Sequence, residues 1–233
     1  MKILVINGSP KGKHSVTLQT VNYWQILHPE HDFQVLHAGQ TIKTLEKDFS
    51  PALAAIEKAD LLLFSYPVYT FIAPSQLHRF FELVKESGMD LSGKFATQIT
   101  TSKHFYDVTA HRYVQDNCQD LGLKFIRGLS ADMDDLTTQK GQHQAEGFFD
   151  RVCWSVEHNF FEPFPAPPTP PRHVPVDVPS VPDSYKPGKV VVVTDCEEGN
   201  TQLANMIARF RAVLPLATEV VNLRDYPFKG GCL

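Results

Sequence analysis

Apolar positions along this chain alternate between two forms. Short unbroken runs of strand length are followed by stretches in which apolar residues recur every three or four positions. The run from Ile3 to Ile6 breaks into Gly8, Ser9, Pro10 and Gly12, and a helical pattern starts near Ser15, with Leu18, Val21, Trp24 and Leu27 at helical spacing. Phe33, Val35 and His37 predict a second strand, residues 51–58 a short helix, and residues 60–65 a third, continuously apolar strand. Pro74 suits the first turn of a helix whose apolar face is Leu77, Phe80, Phe81 and Val84. Residues 94–101 read as a strand, Val108 to Leu121 as a helix ended by Gly122, and residues 124–130 as a fifth strand. Ala145, Phe148, Phe149, Val152, Val156 and Phe160 form a long helical stripe, expected to be core.

That makes five strand–helix units in about 160 residues. Strands that are apolar throughout are buried on both faces, which implies a parallel sheet between two helical layers. The expected fold is a doubly wound α/β domain with a five-stranded parallel sheet of order 2-1-3-4-5. Its ligands would bind at the carboxyl ends of the strands, beside the first and third.

Residues 162–187 interrupt this pattern: ten of these 26 are proline, a composition that suits an extended linker. The pattern then restarts. Residues 189–194 read as a strand, Asn200 and Thr201 open a helix carrying Leu203, Met206, Ile207, Phe210 and Leu214, and Val220 and Val221 begin another strand. The reading is therefore a domain at 1–161, a linker at 162–187, and a partial second βαβ unit at 188–233. About 45 residues of this kind cannot close their own core, so the last piece is expected to be the first third of a second such domain.

Composition narrows the function classes. The net charge of −4 gives no support for a nucleic-acid or anionic-membrane partner. No apolar run approaches the roughly 18 residues of a membrane span, and the N-terminus does not read as a signal peptide, so a cytoplasmic protein is expected. Cys118, Cys153, Cys196 and Cys232 are far apart and the ten histidines are scattered, so no metal site is expected. Cys118 and Cys153 fall in helical patterns and read as small hydrophobes.

The first strand–loop–helix carries the clearest chemistry. The unsatisfied N–H groups of a helix's first turn and its dipole make an anion site at the end of a buried strand. Ser9, Ser15 and Thr17 add hydroxyls there, and Lys11, Lys13 and His14 surround them with cationic or titratable groups. The loop matches neither the P-loop nor the dinucleotide glycine pattern. It does resemble the G-S-P-[RK]-x-x-x-[NS]-[ST] loop of the NADPH-dependent FMN reductase and flavodoxin-like flavoprotein family, which wraps the FMN phosphate. Val16 stands where that loop has Ser or Thr, so Thr17 is expected to supply the hydroxyl instead.

Two further strand-end loops should meet this one. Ser65-Tyr-Pro-Val-Tyr-Thr-Phe-Ile-Ala-Pro74 resembles the P-[VLI]-Y-x-x-x-x-P element of the same family, whose backbone and Tyr border the flavin ring. Pro67, Val68, Tyr69, Thr70 and Phe71 are the matching candidates, with Tyr69 and Phe71 able to supply a flat apolar wall. The loop after the fourth strand offers Thr101, Ser102, Lys103, His104 and Tyr106, and positive charge near the ring's N1–O2 edge would stabilise an anionic reduced flavin. Asp132-Met-Asp-Asp135 reads as a solvated acidic turn rather than a cation site.

The resemblance implies FMN as cofactor, NADH or NADPH as co-substrate, and electron transfer to an acceptor it does not specify; a homodimer is compatible with it. The cofactor carries such chemistry, so no catalytic side chain is named. Two other readings stay open: an electron carrier resembling flavodoxin, favoured if Tyr69 and Phe105 cover both ring faces, and an interaction domain without flavin on the same fold.

Overall fold

In the computed structural model, residues 1–102, 107–166, 188–214 and 216–226 are described. The chain divides into two compact units, Met1–Pro167 and Pro168–Leu233.

The first unit holds six parallel strands: β1 (Lys2–Asn7), β2 (Asp32–Leu36), β3 (Leu61–Pro67), β4 (Phe95–Ser102), β5 (Lys124–Phe125) and β6 (Leu129–Asp132). They form one sheet of order β2-β1-β3-β4-β5, with β6 also paired to β4. The expected strand order is therefore present. Between the strands run α1 (Thr17–Leu27), α2 (Ala38–Leu45), α3 (Ser50–Lys58), α4 (Ser75–Ser87), α5 (Val108–Asp120) and α6 (Gln139–Glu157).

Strand alternation sorts the core into two layers. Leu4, Ile6, Leu62 and Phe64 face one side and pack with residues of α2 to α5, such as Ala52, Leu77 and Val114. Ile3, Val5, Leu61 and Leu63 face the other side and pack with α1 and α6 through Leu18, Trp24 and Phe148. Trp24 is fully buried, stacked on Phe148 and Phe149 at centroid distances of 5.6 and 5.2 Å. Its indole N–H donates to the carbonyl of Ala145 at 3.0 Å, which satisfies the single polar atom of the largest core side chain.

The structure corrects the sequence reading in four places. His37 does not extend β2; it is the N-cap residue of α2, a helix the periodicity did not indicate. The fifth strand is broken into β5 and β6. The break lies at Arg127 and Gly128, where a Cβ on Gly128 would stand 2.3 Å from Gln98 Cγ and 2.6 Å from the Gln98 carbonyl oxygen. That close approach crowds the chain against β4. Pro74 precedes α4 as its N-cap rather than lying in its first turn. Phe160 falls beyond the end of α6 and is 63% exposed, so the core stripe stops short of it.

The second unit consists of β7 (Lys189–Thr194), α7 (Thr201–Val213) and β8 (Ala217–Asn222), with β7 and β8 paired in parallel. The Asn200 side chain caps α7, its Oδ1 accepting from Leu203 N at 3.1 Å. No helix among the described residues is long and apolar enough to cross a membrane. No group of three His, Cys, Asp or Glu among the described residues is placed to hold a metal ion.

Candidate functional site

The site begins where β1 runs out. Asn7 is fully buried and braces the loop that follows: its Oδ1 accepts from Ser9 N at 3.1 Å and its Nδ2 donates to Gly12 O at 2.8 Å. Gly8 N is tied to Ser65 O at the end of β3, at 2.9 Å. Gly12, at φ +54°, opens a short 3-10 turn over Gly12–His14. This left-handed conformation is one that glycine adopts without strain. The helix α1 then starts behind Val16, which supplies no side-chain cap; Gln19 N donates to Val16 O at 2.9 Å, and no side chain among the described residues caps the N–H groups of Thr17 and Leu18.

The two serines of this loop are buried, and Ser15 Oγ has no hydrogen-bond partner among the described residues. Thr17 is also buried, but its hydroxyl is paired with that of Thr101 on β4 at 2.7 Å. The hydroxyl left over on this loop is therefore that of Ser15, not Thr17.

The loop forms one wall of a cavity of about 390 Å³, through Ser9, Lys11, Ser15 and Val16. The segment after β3 forms a second wall, through Pro67, Val68, Tyr69, Thr70 and Phe71. Thr101 and Ser102 at the end of β4 form the third, with Met133 beyond β6. The second wall is a tight turn: Tyr69 N donates to Ile72 O at 3.0 Å and Ile72 N to Tyr69 O at 3.1 Å. Its central residues, Thr70 and Phe71, both have positive φ, +46° and +76°. Non-glycine residues held this way carry strain of order 1–3 kcal/mol each. The turn leaves Tyr69 and Phe71 each 44% exposed beside the cavity. Val68 N donates to Thr101 O at 3.1 Å and fastens this wall to β4.

The sequence candidates thus divide into groups. Eleven of the seventeen line the cavity: Ser9, Lys11, Ser15, Val16, the five from Pro67 to Phe71, Thr101 and Ser102. Lys13 and His14 are exposed in the 3-10 turn and do not line it. Thr17 lies behind it, holding Thr101. Lys103, His104 and Tyr106, together with Phe105, lie outside the described residues. Met133 also lines the cavity, although its setting between Asp132 and Asp134 marks the tract as a solvated turn in the sequence. Its position just after a strand end was the available signal. The carboxylates of that tract form turn hydrogen bonds: Asp135 Oδ2 accepts from Asp132 N at 2.9 Å, and Asp132 Oδ1 from Asp134 N at 3.3 Å.

Behind Ser102 lies a second polar group that sequence reasoning did not single out. The Asp107 carboxylate, nearly buried, accepts from the hydroxyls of Ser102, at 3.5 Å, and Ser130. His111 Nε2 lies 2.8 Å from Thr100 Oγ1, and burial is the largest cause holding its pKa below the ordinary value of 6.5.

A family model described as flavodoxin-like fold matches residues 1–146. The chain belongs to this family. Its flavodoxin-like unit is similar in fold to an NADH:FMN oxidoreductase solved in apo form, at 19% identity and a TM-score of 0.56, covering 66% of this chain and 89% of that one. It is also similar to an NAD(P)H:quinone oxidoreductase from Methanothermobacter marburgensis, at 13% identity and TM-score 0.51, covering 68% and 96%. An NADPH-quinone reductase from P. pentosaceus stands at 12% identity and TM-score 0.51, covering 65% and 97%. No curated protein matches the sequence. The cavity of the flavodoxin-like unit is bordered by the Ser9–Val16 loop at one end, by Tyr69 and Phe71 alongside, and by the hydroxyls of Thr101 and Ser102 at the end of β4.

Proposed function

We propose that this protein binds FMN in the three-walled cavity and acts as an oxidoreductase that takes hydride from NADH or NADPH and passes electrons to an acceptor. The observation that carries the reading is Ser15 Oγ, a buried hydroxyl without a partner among the described residues, on the cavity wall and two residues before the start of α1, which has no side-chain cap. A buried unpaired hydroxyl is costly unless a ligand completes it. A phosphate group, with its acceptor oxygens and negative charge, is the complement of that hydroxyl, the first-turn N–H groups and Lys11.

The other walls fit the rest of the cofactor. Val16, Val68, Tyr69, Phe71 and Met133 offer apolar and aromatic surface for a flat ring system. Thr101 and Ser102 offer hydroxyls to its polar edge. When bound, FMN supplies the hydride-accepting and electron-donating chemistry, so the protein's part is to bind, orient and tune it. Asp107 holds the Ser102 hydroxyl from behind. The exposed Tyr69 and Phe71 give a nicotinamide or an acceptor an aromatic surface to approach.

The fold relatives named above use NADH, NADPH, FMN or quinones by their own descriptions, which agrees with this reading without fixing the acceptor. The test is direct. Purified protein mixed with FMN should retain it through desalting, and its visible flavin absorbance should bleach when NADH or NADPH is added without oxygen and return when a quinone is admitted. Protein that retains no FMN overturns the reading. Protein that retains FMN but never bleaches with either nicotinamide is a carrier, not a reductase.

A further inference from the structure

We propose that His37, which no sequence motif indicated, is a positioning residue for the anion loop, and that the loop keeps its binding conformation only while His37 is neutral. The proposal rests on the FMN reading of the cavity and adds to it a residue and a pH dependence.

The argument starts from Asn7. A side-chain amide can be built in two orientations, and its hydrogen-bond partners decide between them. Here two backbone partners decide. Ser9 N can only donate, so the atom 3.1 Å from it is the oxygen. Gly12 O can only accept, so the atom 2.8 Å from it is the nitrogen. The Asn7 Nδ2 group has a second hydrogen, and 3.1 Å away stands His37 Nδ1. Since Nδ2 has nothing to accept with, His37 Nδ1 must be the acceptor. The ring is therefore the neutral tautomer with its proton on Nε2.

The backbone that carries the ring is fixed by the start of α2. His37 is the N-cap of α2, and its carbonyl accepts from Gln40 N at 3.1 Å and Thr41 N at 3.0 Å. The start of α2 also lies hard against the loop. A Cβ on Gly39 would stand 2.3 Å from Gly8 O, and one on Gly12 2.2 Å from Gln40 Oε1. Helix start and loop are thus in close backbone contact at Gly39 and Gly8. Protonating Nδ1 sets two donors face to face. Turning the Asn7 amide to relieve this would break both of its bonds to Ser9 and Gly12, which span the loop.

Charge around the ring reinforces the point. The loop supplies Lys11, Lys13 and His14 and no carboxylate. Packed against α2, the helix α4 supplies His78, Arg79 and Glu82, and Arg79 is held by Glu46, Glu82 and Glu86. Lys2 lies at the far end of β1, and the charged residue within α2 itself, Lys43, pairs with Glu46. The loop braced by Asn7 and His37 thus holds no carboxylate that would offset an imidazolium. A bound phosphate would attract the imidazolium, so the two effects oppose, and the proposal is that loss of the Asn7 brace outweighs that attraction.

The test compares wild type with His37→Asn, whose Oδ1 can take the place of Nδ1 as an acceptor without titrating, and His37→Ala, which has no acceptor at any pH. FMN dissociation constants are read by flavin fluorescence at about pH 7.5 and 5.5, a range that spans ordinary histidine titration. The FMN phosphate itself titrates in this range, so only the difference between variants counts. Expected are near-equal affinities for wild type and His37→Asn at the higher pH, a loss on acidification about threefold or more greater in wild type than in His37→Asn, with about tenfold as the most that one ordinary histidine can give over this range, and weak binding by His37→Ala at both. Parallel losses in wild type and His37→Asn, or tighter binding by wild type in acid, overturn the proposal. A second readout needs no FMN: in the ligand-free protein the Ser9 and Gly12 amide resonances should move with pH in wild type and stay still in His37→Asn. If these amides couple to His37 while neither protein binds FMN, the cofactor assignment fails and the positioning role stands. If they do not, the positioning role fails whatever binds.

Discussion

Ser15 and Thr17 stand two residues apart on the same loop, and their partners separate their roles. Thr17 ties α1 to β4 through Thr101, whereas Ser15 Oγ is buried without a partner beside the cavity. A charge-assisted hydrogen bond contributes about 1.5–3 kcal/mol, so Ser15→Ala should weaken FMN binding roughly tenfold or more. The Ser9→Ala, Lys11→Ala double variant should do at least as much, since it removes a hydroxyl and a cation from the same wall. Thr17→Val leaves the wall intact and should instead lower stability. Equal FMN affinity in wild type and Ser15→Ala, measured by equilibrium dialysis, would remove Ser15 from the phosphate site. On the facing wall, Tyr69→Ala should shift the fluorescence and midpoint potential of bound flavin while leaving the phosphate-end contacts unchanged; if both stay at wild-type values, the β3–α4 loop does not border the ring. Three buried or half-buried histidines set a pH response of their own. Burial is the largest cause depressing His31, His78 and His111 below the ordinary 6.5. An unfolded chain takes up those protons near pH 6.5, before the folded one does. Stability is therefore full above that value and is lost as pH falls below it. The urea midpoint should fall between about pH 7 and 5, and should fall less in His78→Gln, whose parent ring stacks on Tyr113 at 4.0 Å with Nε2 buried and unpartnered. A midpoint independent of pH over that range contradicts the assignment.

Among the elements, the turn that carries Tyr69 and Phe71 is held against its own preference. Thr70 is β-branched and sits at φ +46°, a conformation that costs an ordinary L-residue about 1–2 kcal/mol and that Asn tolerates far better. Thr70→Asn should therefore stabilise the protein by about 1 kcal/mol in urea titrations, with destabilisation as the contrary result. The elements also differ in how far the sequence disclosed them. β1, β3 and β4 were legible because a central parallel strand is buried on both faces, so runs such as Leu61-Leu-Leu-Phe64 are apolar throughout. The anion loop was legible because Gly, Ser and Lys between such a strand and a helix have few other uses. Helix α2 was not, since it is only 8 residues long and opens Ala38-Gly39-Gln40-Thr41, which presents no apolar stripe until Ile42 and Leu45. The break between β5 and β6 follows from how closely Gly128 approaches Gln98, a tertiary fact that no local pattern carries. The same holds for the Asn7–His37 pair, 30 residues apart and joined only once β1 and β2 lie side by side. At the cavity, the motif residues were legible individually, but the pairing that occupies Thr17 and leaves Ser15 free depends on Thr101, 84 residues from Thr17.

At the scale of the whole molecule, the two units differ in how they are held together. The first closes two core layers drawn entirely from residues within its own span, and its chain is still fixed at Glu162 N, bonded to Phe125 O at 2.7 Å, and at Pro163 O, bonded to Gln119 Nε2 at 3.0 Å. In the second unit no described residue is buried, and Val191, Val193, Met206 and Phe210 are 45–68% exposed. A βαβ element that buries so little has little hydrophobic stabilisation, and local opening should cost it far less than opening the first unit. Hydrogen exchange should therefore show amides of β1, β3 and β4 protected for hours under conditions where those of β7 and α7 exchange quickly. Limited proteolysis carries the argument to function. In the proline-rich stretch, Arg172 precedes His173 and is open to trypsin by sequence, whereas Lys186 is followed by Pro187 and should resist. Brief trypsin treatment should cut first at Arg172 and within the second unit, and leave a fragment ending near Arg172 that keeps its folded circular dichroism and its FMN. The outcome that sinks this division is a fragment that unfolds or sheds FMN once the second unit is removed, because the cavity would then depend on residues beyond 167 that its walls at Ser9, Tyr69 and Thr101 do not include.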